Sequence, residues 1–170
     1  MPSAHSHVSA VDWEEGARYM RIAVGSDHAG WPLKEPLVAF LIDRGWDVED
    51  FGTFSAAAVD YPDYAIKVSE AVARGDVDRG LLLCGSGQGM CMTANKVAGV
   101  RASLAHDVVS ARLAREHNDA NVLTMGARFV AEPLAQEILL TFVSTEFSGG
   151  RHQVRVEKIE AAARREAGLS

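Results

Sequence analysis

RGLLLCGSGQGM, residues 79–90, is the stretch on which the fold turns. An apolar run of strand length stops at Cys84, glycines follow at 85, 87 and 89, and a helical pattern opens at 88. A strand that ends in a glycine-rich turn and passes straight into a helix is the joint of a βα unit. The same joint occurs upstream, where RIAVGS (21–26) runs through DHAG into a helical pattern at 31–44. Further strand-like runs are WDVEDFG (46–52), VRASLA (100–105) and NVLTMG (121–126), with helical patterns at 61–74, 88–98, 107–117, 131–147 and 151–167. Strand and helix in rotation imply a parallel sheet covered on both faces, because right-handed crossovers lay the helices on the sheet. The expected class is α/β, doubly wound, with five parallel strands in the order 2-1-3-4-5.

Local chemistry supports the boundaries. Asp107 stands at an N-cap position before VVSARLARE, Gly45 follows Arg44 where a helix should stop, and Pro62 and Pro133 fall in first turns, where a missing N–H costs nothing. The chain of 170 residues accommodates one domain, expected over 20–170, with residues 1–19 as a disordered N-terminal extension. The pair Gly149–Gly150 separates a last helix rich in Arg and Glu, which is expected to reach a partner subunit.

Composition narrows the function. A net charge of −6 argues against nucleic acid as the main partner, since phosphate backbones are bound by clustered Lys and Arg. No apolar run approaches the roughly 20 residues of a membrane span. The two cysteines, Cys84 and Cys91, fit neither a CxxC pair nor a four-ligand zinc site, so no metal and no disulfide framework are expected. Without a secretory or import signal, the expected location is cytoplasmic.

In an open parallel sheet, ligands bind beyond the carboxyl ends of the strands, where the strand order reverses. Two loops leave the strands there: GSDHAG (25–30), carrying Asp27 and His28, and CGSGQG (84–89). The glycines of the second loop admit a ligand close to the backbone, and successive N–H groups beside a helix N-terminus form an anion hole. Cys84 stands at its mouth, where the helix dipole favours an anionic sulfur. That suits abstraction of a carbon-bound proton, with the developing enediolate oxygen held by the N–H groups around Gly85, Ser86 and Gly87. The spacing is equally compatible with a tight turn and a buried structural cysteine. Asp27 and His28, His117 and Asn118, and Tyr61 each have ordinary readings as turn, helix-end and core residues; in that reading Asn118 takes the left-handed conformation after the last turn. Arg151 and Arg155 share one face of the last helix with His152 beside them, which makes either an anion seat or a solvated helix. Arg128, in MGARF, is expected at the same edge of the sheet.

Taken together, IAVGSDHAG, DYPDYA, LLLCGSGQGM with TANKVAGVRA, AREHNDANVLTMGAR and GGRHQVRV resemble the type B ribose-5-phosphate isomerase family, which includes galactose-6-phosphate isomerase subunits. The resemblance runs from about Met20 to about Ala162. It implies a sugar-phosphate aldose-ketose isomerase of the cysteine-base branch, because Met90 occupies the place where another branch has a glutamate. It further implies Cys84 as base, Ser86 as a polarising or proton-shuttling group, and His117 as the group that assists ring opening. Asp27, His28, Tyr61, Gly85, Gly87, Gly89, Asn95 and Asn118 are implied as sugar contacts. Arg128, Arg151, His152 and Arg155 are implied as phosphate contacts, with His28 able to join them. No cofactor is implied. The family pattern is a homodimer or homotetramer whose sites are shared between subunits, with His117 and Arg128 reaching the neighbour's substrate. Two other readings stay open: a different sugar phosphate, such as allose or galactose 6-phosphate or a four-carbon ketose phosphate, and a non-catalytic binding module.

Overall fold

The structure, a computed structural model, describes residues 20–166 and Gly168; the extension expected at 1–19 lies outside the described residues. In chain order the elements are β1 (Arg21–Ser26), α1 (Trp31–Ile42), β2 (Asp47–Asp50), α2 (Tyr61–Arg74), β3 (Arg79–Cys84) and α3 (Gln88–Ala94). They continue as β4 (Ala102–Leu104), α4 (Val108–Asn118), β5 (Val122–Gly126), α5 (Glu132–Ser144) and α6 (Arg151–Glu166). All strand pairs are parallel.

The sheet order is β2-β1-β3-β5-β4, which corrects the expected 2-1-3-4-5 at its far end. The reason lies in burial. Every residue of β5 is buried, as a strand covered on both faces requires, whereas β4 has three half-buried residues and suits an edge. The exchange leaves the β2-β1-β3 part untouched, so the reversal point still falls between β1 and β3.

Alternation along β3 divides the core. Leu81 and Leu83 point to the face covered by α1, α4 and α5, with Ile22, Val24, Leu123 and Met125; Leu82 and Cys84 point to the α2–α3 face, with Ala23 and Val122. The three leucines are fully buried, and burial of each stabilises the fold by about 1.5–3 kcal/mol relative to exposure. Helix α6 lies along α4.

Helix starts lie within one residue of the sequence signals, whereas α1, α3 and α5 stop at Ile42, Ala94 and Ser144, short of the expected 44, 98 and 147. Asp107 caps α4, its Oδ1 accepting from the Ser110 N–H at 2.7 Å; this bond, then one from the Ser110 hydroxyl, holds the Asp107 carboxyl below its usual range. The far end of α4 differs from expectation. Asn118 stays helical and Asp119 takes the left-handed conformation at φ 46°, a region that costs a non-glycine residue roughly 1 kcal/mol.

Lys34 of α1 is completely buried and pairs with Asp50 at the end of β2, Nζ to Oδ2 at 2.5 Å, beneath the ring of Phe54 at 4.6 Å. Asp50 Oδ1 accepts from the Gly52 N–H, and Gly52 and Thr53 bond back to Ser26. The 51–60 segment is thereby laced to the end of β1.

Candidate active site

The end of β1, the end of β3 and the start of α2 converge on a crevice of about 420 Å³ lined by Asp27, His28, Tyr61, Cys84, Ser86 and Arg128, among others. Adjacent parallel strands make this convergence unavoidable, because both loops leave β1 and β3 at the same edge. Cys84 is only 4% exposed and packs with the α2–α3 core, yet the residue lines the crevice, and its sulfur accepts the Gly87 N–H at 3.1 Å. The N–H groups of Gly85 and Ser86 have no acceptor among the described residues. A sulfur beside backbone donors left without an internal acceptor is an arrangement that can support an enediolate intermediate.

The glycines of this loop have separate causes. Gly87 sits at φ 77°, and a Cβ there would stand 2.7 Å from the backbone of Met125. At Gly89 a Cβ would strike the Tyr61 ring at 2.6 Å, so that glycine lets the aromatic wall close on α3. Arg128 lays its guanidinium against Gly85, while its N–H donates to the Gly85 carbonyl and the Ala127 N–H to that of Cys84. Asp27 is buried, its Oδ1 accepting from Gly30 N–H at 2.8 Å. His28 Nδ1 accepts from the Val59 N–H at 3.2 Å, so a ring proton must reside on Nε2.

A second cluster lies elsewhere. His117 lies in the last turn of α4 and stacks on His152 of α6, ring centroids 4.3 Å apart and 9° from parallel, with Asn118 next to it and Arg151 and Arg155 exposed on α6. Helix α4 leads directly into the start of β5, whereas Cys84 lies in register with Gly126 at the end of β5. The two clusters therefore occupy opposite edges of the sheet, separated by the five residues of β5, about 16 Å at ~3.3 Å per residue. This corrects the expectation that Arg128 shares an edge with Arg151 and Arg155. Arg128 and His28 belong to the Cys84 crevice of their own chain; His152, Arg151 and Arg155 stand with His117.

Desolvation, then His117, then the guanidinium groups of Arg151 and Arg155 push His152 below the ordinary histidine range. The folded chain therefore holds that proton less tightly than the unfolded chain. The stability contribution is intact above the ordinary histidine range and is lost as pH falls through it toward the lowered folded value. A bound phosphate dianion favours the charged ring. Inorganic phosphate is expected to move the His152 midpoint upward in an NMR titration, and a midpoint that stays put would remove His152 from the anion seat.

Asn95 lies outside the crevice. Its amide donates to the carbonyls of Cys91 and Ala102, and its Oδ1 accepts from the Ala102 N–H, clamping the end of α3 to β4. Cys91 is half-buried on α3, its thiol directed at the Ala102 carbonyl. Sequence reasoning missed Gln88 and Met92, which line the crevice from one face of α3; their four-residue spacing is the signal that would have found them.

The model of the family described as Ribose/Galactose Isomerase matches residues 22–159. The chain is 48% identical over 145 residues to the Escherichia coli protein named ribose-5-phosphate isomerase B, covering 85% of this chain and 97% of that one. A D-erythrulose-4-phosphate isomerase of Pectobacterium atrosepticum is 41% identical over 141 residues, covering 82% and 93%. Among solved structures, the Clostridium thermocellum ribose-5-phosphate isomerase B superposes with a TM-score of 0.85 at 48% identity, covering 86% of this chain and 99% of its own. On a match that spans most of its length, the chain belongs to the ribose/galactose isomerase family.

Proposed function

We propose that the chain interconverts ribose 5-phosphate and ribulose 5-phosphate, and that the carrying observation is the Cys84 sulfur beside the glycine loop in a crevice edged by Asp27, His28, Tyr61 and Arg128. In this reading Cys84, as thiolate, takes the proton from C2 of the open-chain aldose. The C2–H electrons become the C1–C2 double bond, and the charge collects on O1 of a cis-enediolate beside the N–H groups of Gly85 and Ser86. Ser86 passes the O2 proton to O1, Cys84 returns its proton to C1, and the ketose forms with no net change in atoms or electrons. Asp27, His28 and Tyr61 hold the sugar, and the phosphate, remote from the reacting carbons, fixes its orientation.

His117 opens the ring, Asn118 holds the opened sugar, and Arg151, His152 and Arg155 seat the phosphate, in each case on a substrate held by the other copy of a homodimer or homotetramer. The separation of the two clusters by the depth of the sheet supports this sharing. Free Cys84 and Cys91 suit a reducing, cytoplasmic setting. The Pectobacterium relative favours a second reading with the same chemistry on a four-carbon ketose phosphate. Comparing kcat/KM over four- to six-carbon sugar phosphates tests both: ribose 5-phosphate should give the highest value, and a higher value with erythrulose 4-phosphate would transfer the assignment.

A further inference from the structure

Asp119 is the only non-glycine residue with positive φ among the described residues, and it directly follows His117 and Asn118. A glycine would take that conformation without strain, so an aspartate there calls for a further reason. Both carboxylate oxygens are engaged: Oδ1 accepts from Arg115 Nη1 at 2.8 Å and Oδ2 from Arg101 Nη2 at 3.1 Å. Its carbonyl accepts from Arg101 Nε at 2.9 Å. Arg115 is 1% exposed and also donates to the carbonyls of Ala120 and Thr145, which anchors it at the end of α5. Arg101 turns its remaining nitrogen, Nη1, to Glu160 on α6.

Arg101 thus joins the end of α4 to α6, and the His117–His152 ring stack joins them a second time. Two attachments fix the rotation of one helix against the other, where a single attachment would leave a hinge. We propose that Asp119 and Glu160, tied through Arg101, are positioning residues that hold His117 against His152, Arg151 and Arg155, so that this half of the site is assembled before it meets its substrate. The proposal rests on the reading of His117 and α6 as parts of a shared site. None of the three residues touches the reacting atoms; they act through the groups they hold.

The test compares Asp119→Gly, Asp119→Asn and Glu160→Ala with the full-length wild-type protein. Three quantities are read: kcat and KM with ribose 5-phosphate, circular dichroism, and nuclear Overhauser contacts between the His117 and His152 rings. Glycine keeps the backbone conformation and deletes the carboxylate. If Asp119 merely ended a helix, Asp119→Gly would match wild type. The expected result is a folded Asp119→Gly whose kcat/KM falls about tenfold and whose ring contacts fade, as a misplacement of well under 1 Å suffices to cause. Asp119→Asn, which tolerates the same φ and keeps one acceptor oxygen, should recover most of the loss. Glu160→Ala should raise KM more than it lowers kcat. Wild-type kcat/KM with intact ring contacts in Asp119→Gly overturns the proposal. Should that variant fail to fold, an unchanged KM in Glu160→Ala overturns it instead. A wild-type protein without isomerase activity would refute the proposed function alone, because the ring contacts still decide the positioning role.

Discussion

Cys84→Ala is expected to lower kcat about 10²–10⁴-fold, the usual contribution of a positioned general base, while KM changes little. The effect is this large because no other group stands where the sulfur does beside the glycine loop. Met90, the nearest alternative in sequence, is fully buried and carries no basic atom, and Asp27 has its Oδ1 committed to Gly30. Binding should survive, because Arg128, Tyr61 and His28 are untouched. The substitution leaves the Gly87 N–H without its acceptor, a loss on the order of 1 kcal/mol, which the fold should withstand. Folding is checked by circular dichroism and turnover by the appearance of ribulose 5-phosphate. Turnover at the wild-type rate in a folded Cys84→Ala protein would remove the sulfur as base.

The second large effect is a recovery. His117→Ala alone should be nearly inactive, and so should Cys84→Ala, but mixing the two after subunit exchange should restore about a quarter of wild-type activity. In the proposed homodimer, random pairing leaves half of the dimers mixed, and each mixed dimer has one site with both residues intact. The basis is that Cys84 and His117 lie at opposite edges of one sheet, so a site containing both draws them from two chains. If the mixture stays as inactive as its components, each chain uses only its own residues.

Much of this molecule was legible before any coordinates. The strand at 79–84 is observed as Arg79–Cys84 and that at 21–26 as Arg21–Ser26, because each is a continuous buried run closed by glycine or aspartate. The crevice was legible for the same reason: neighbouring parallel strands must release their loops side by side. Spatial order beyond β3 was not, since a local pattern states that a segment is a strand and not which strand lies beside it. The edge expected to be common to Arg128, Arg151 and Arg155 misses a reversal: α5 runs antiparallel to β5, so the chain has returned to the opposite edge before α6 begins at Arg151. The grip of Arg101 on Asp119 was invisible because Arg101 is 18 positions away, whereas Arg115 stands four residues before Asp119, a spacing the sequence does show. The clamp formed by Asn95 depends on a strand that reaches it only after folding.

The sealed contact between Lys34 and Asp50 also bears on heredity. A cation walled off from water depends on the carboxylates beside it, Asp50 at 2.5 Å and the more exposed Glu35 at 3.5 Å. Altering Asp50 alone leaves the charge under Phe54 with only the longer contact to half-exposed Glu35, and altering Lys34 alone unfastens the ribbon that carries Val59 to His28. Lineages that keep this crevice are therefore expected to exchange both residues together or neither, so that two codons 16 positions apart behave as a single inherited letter.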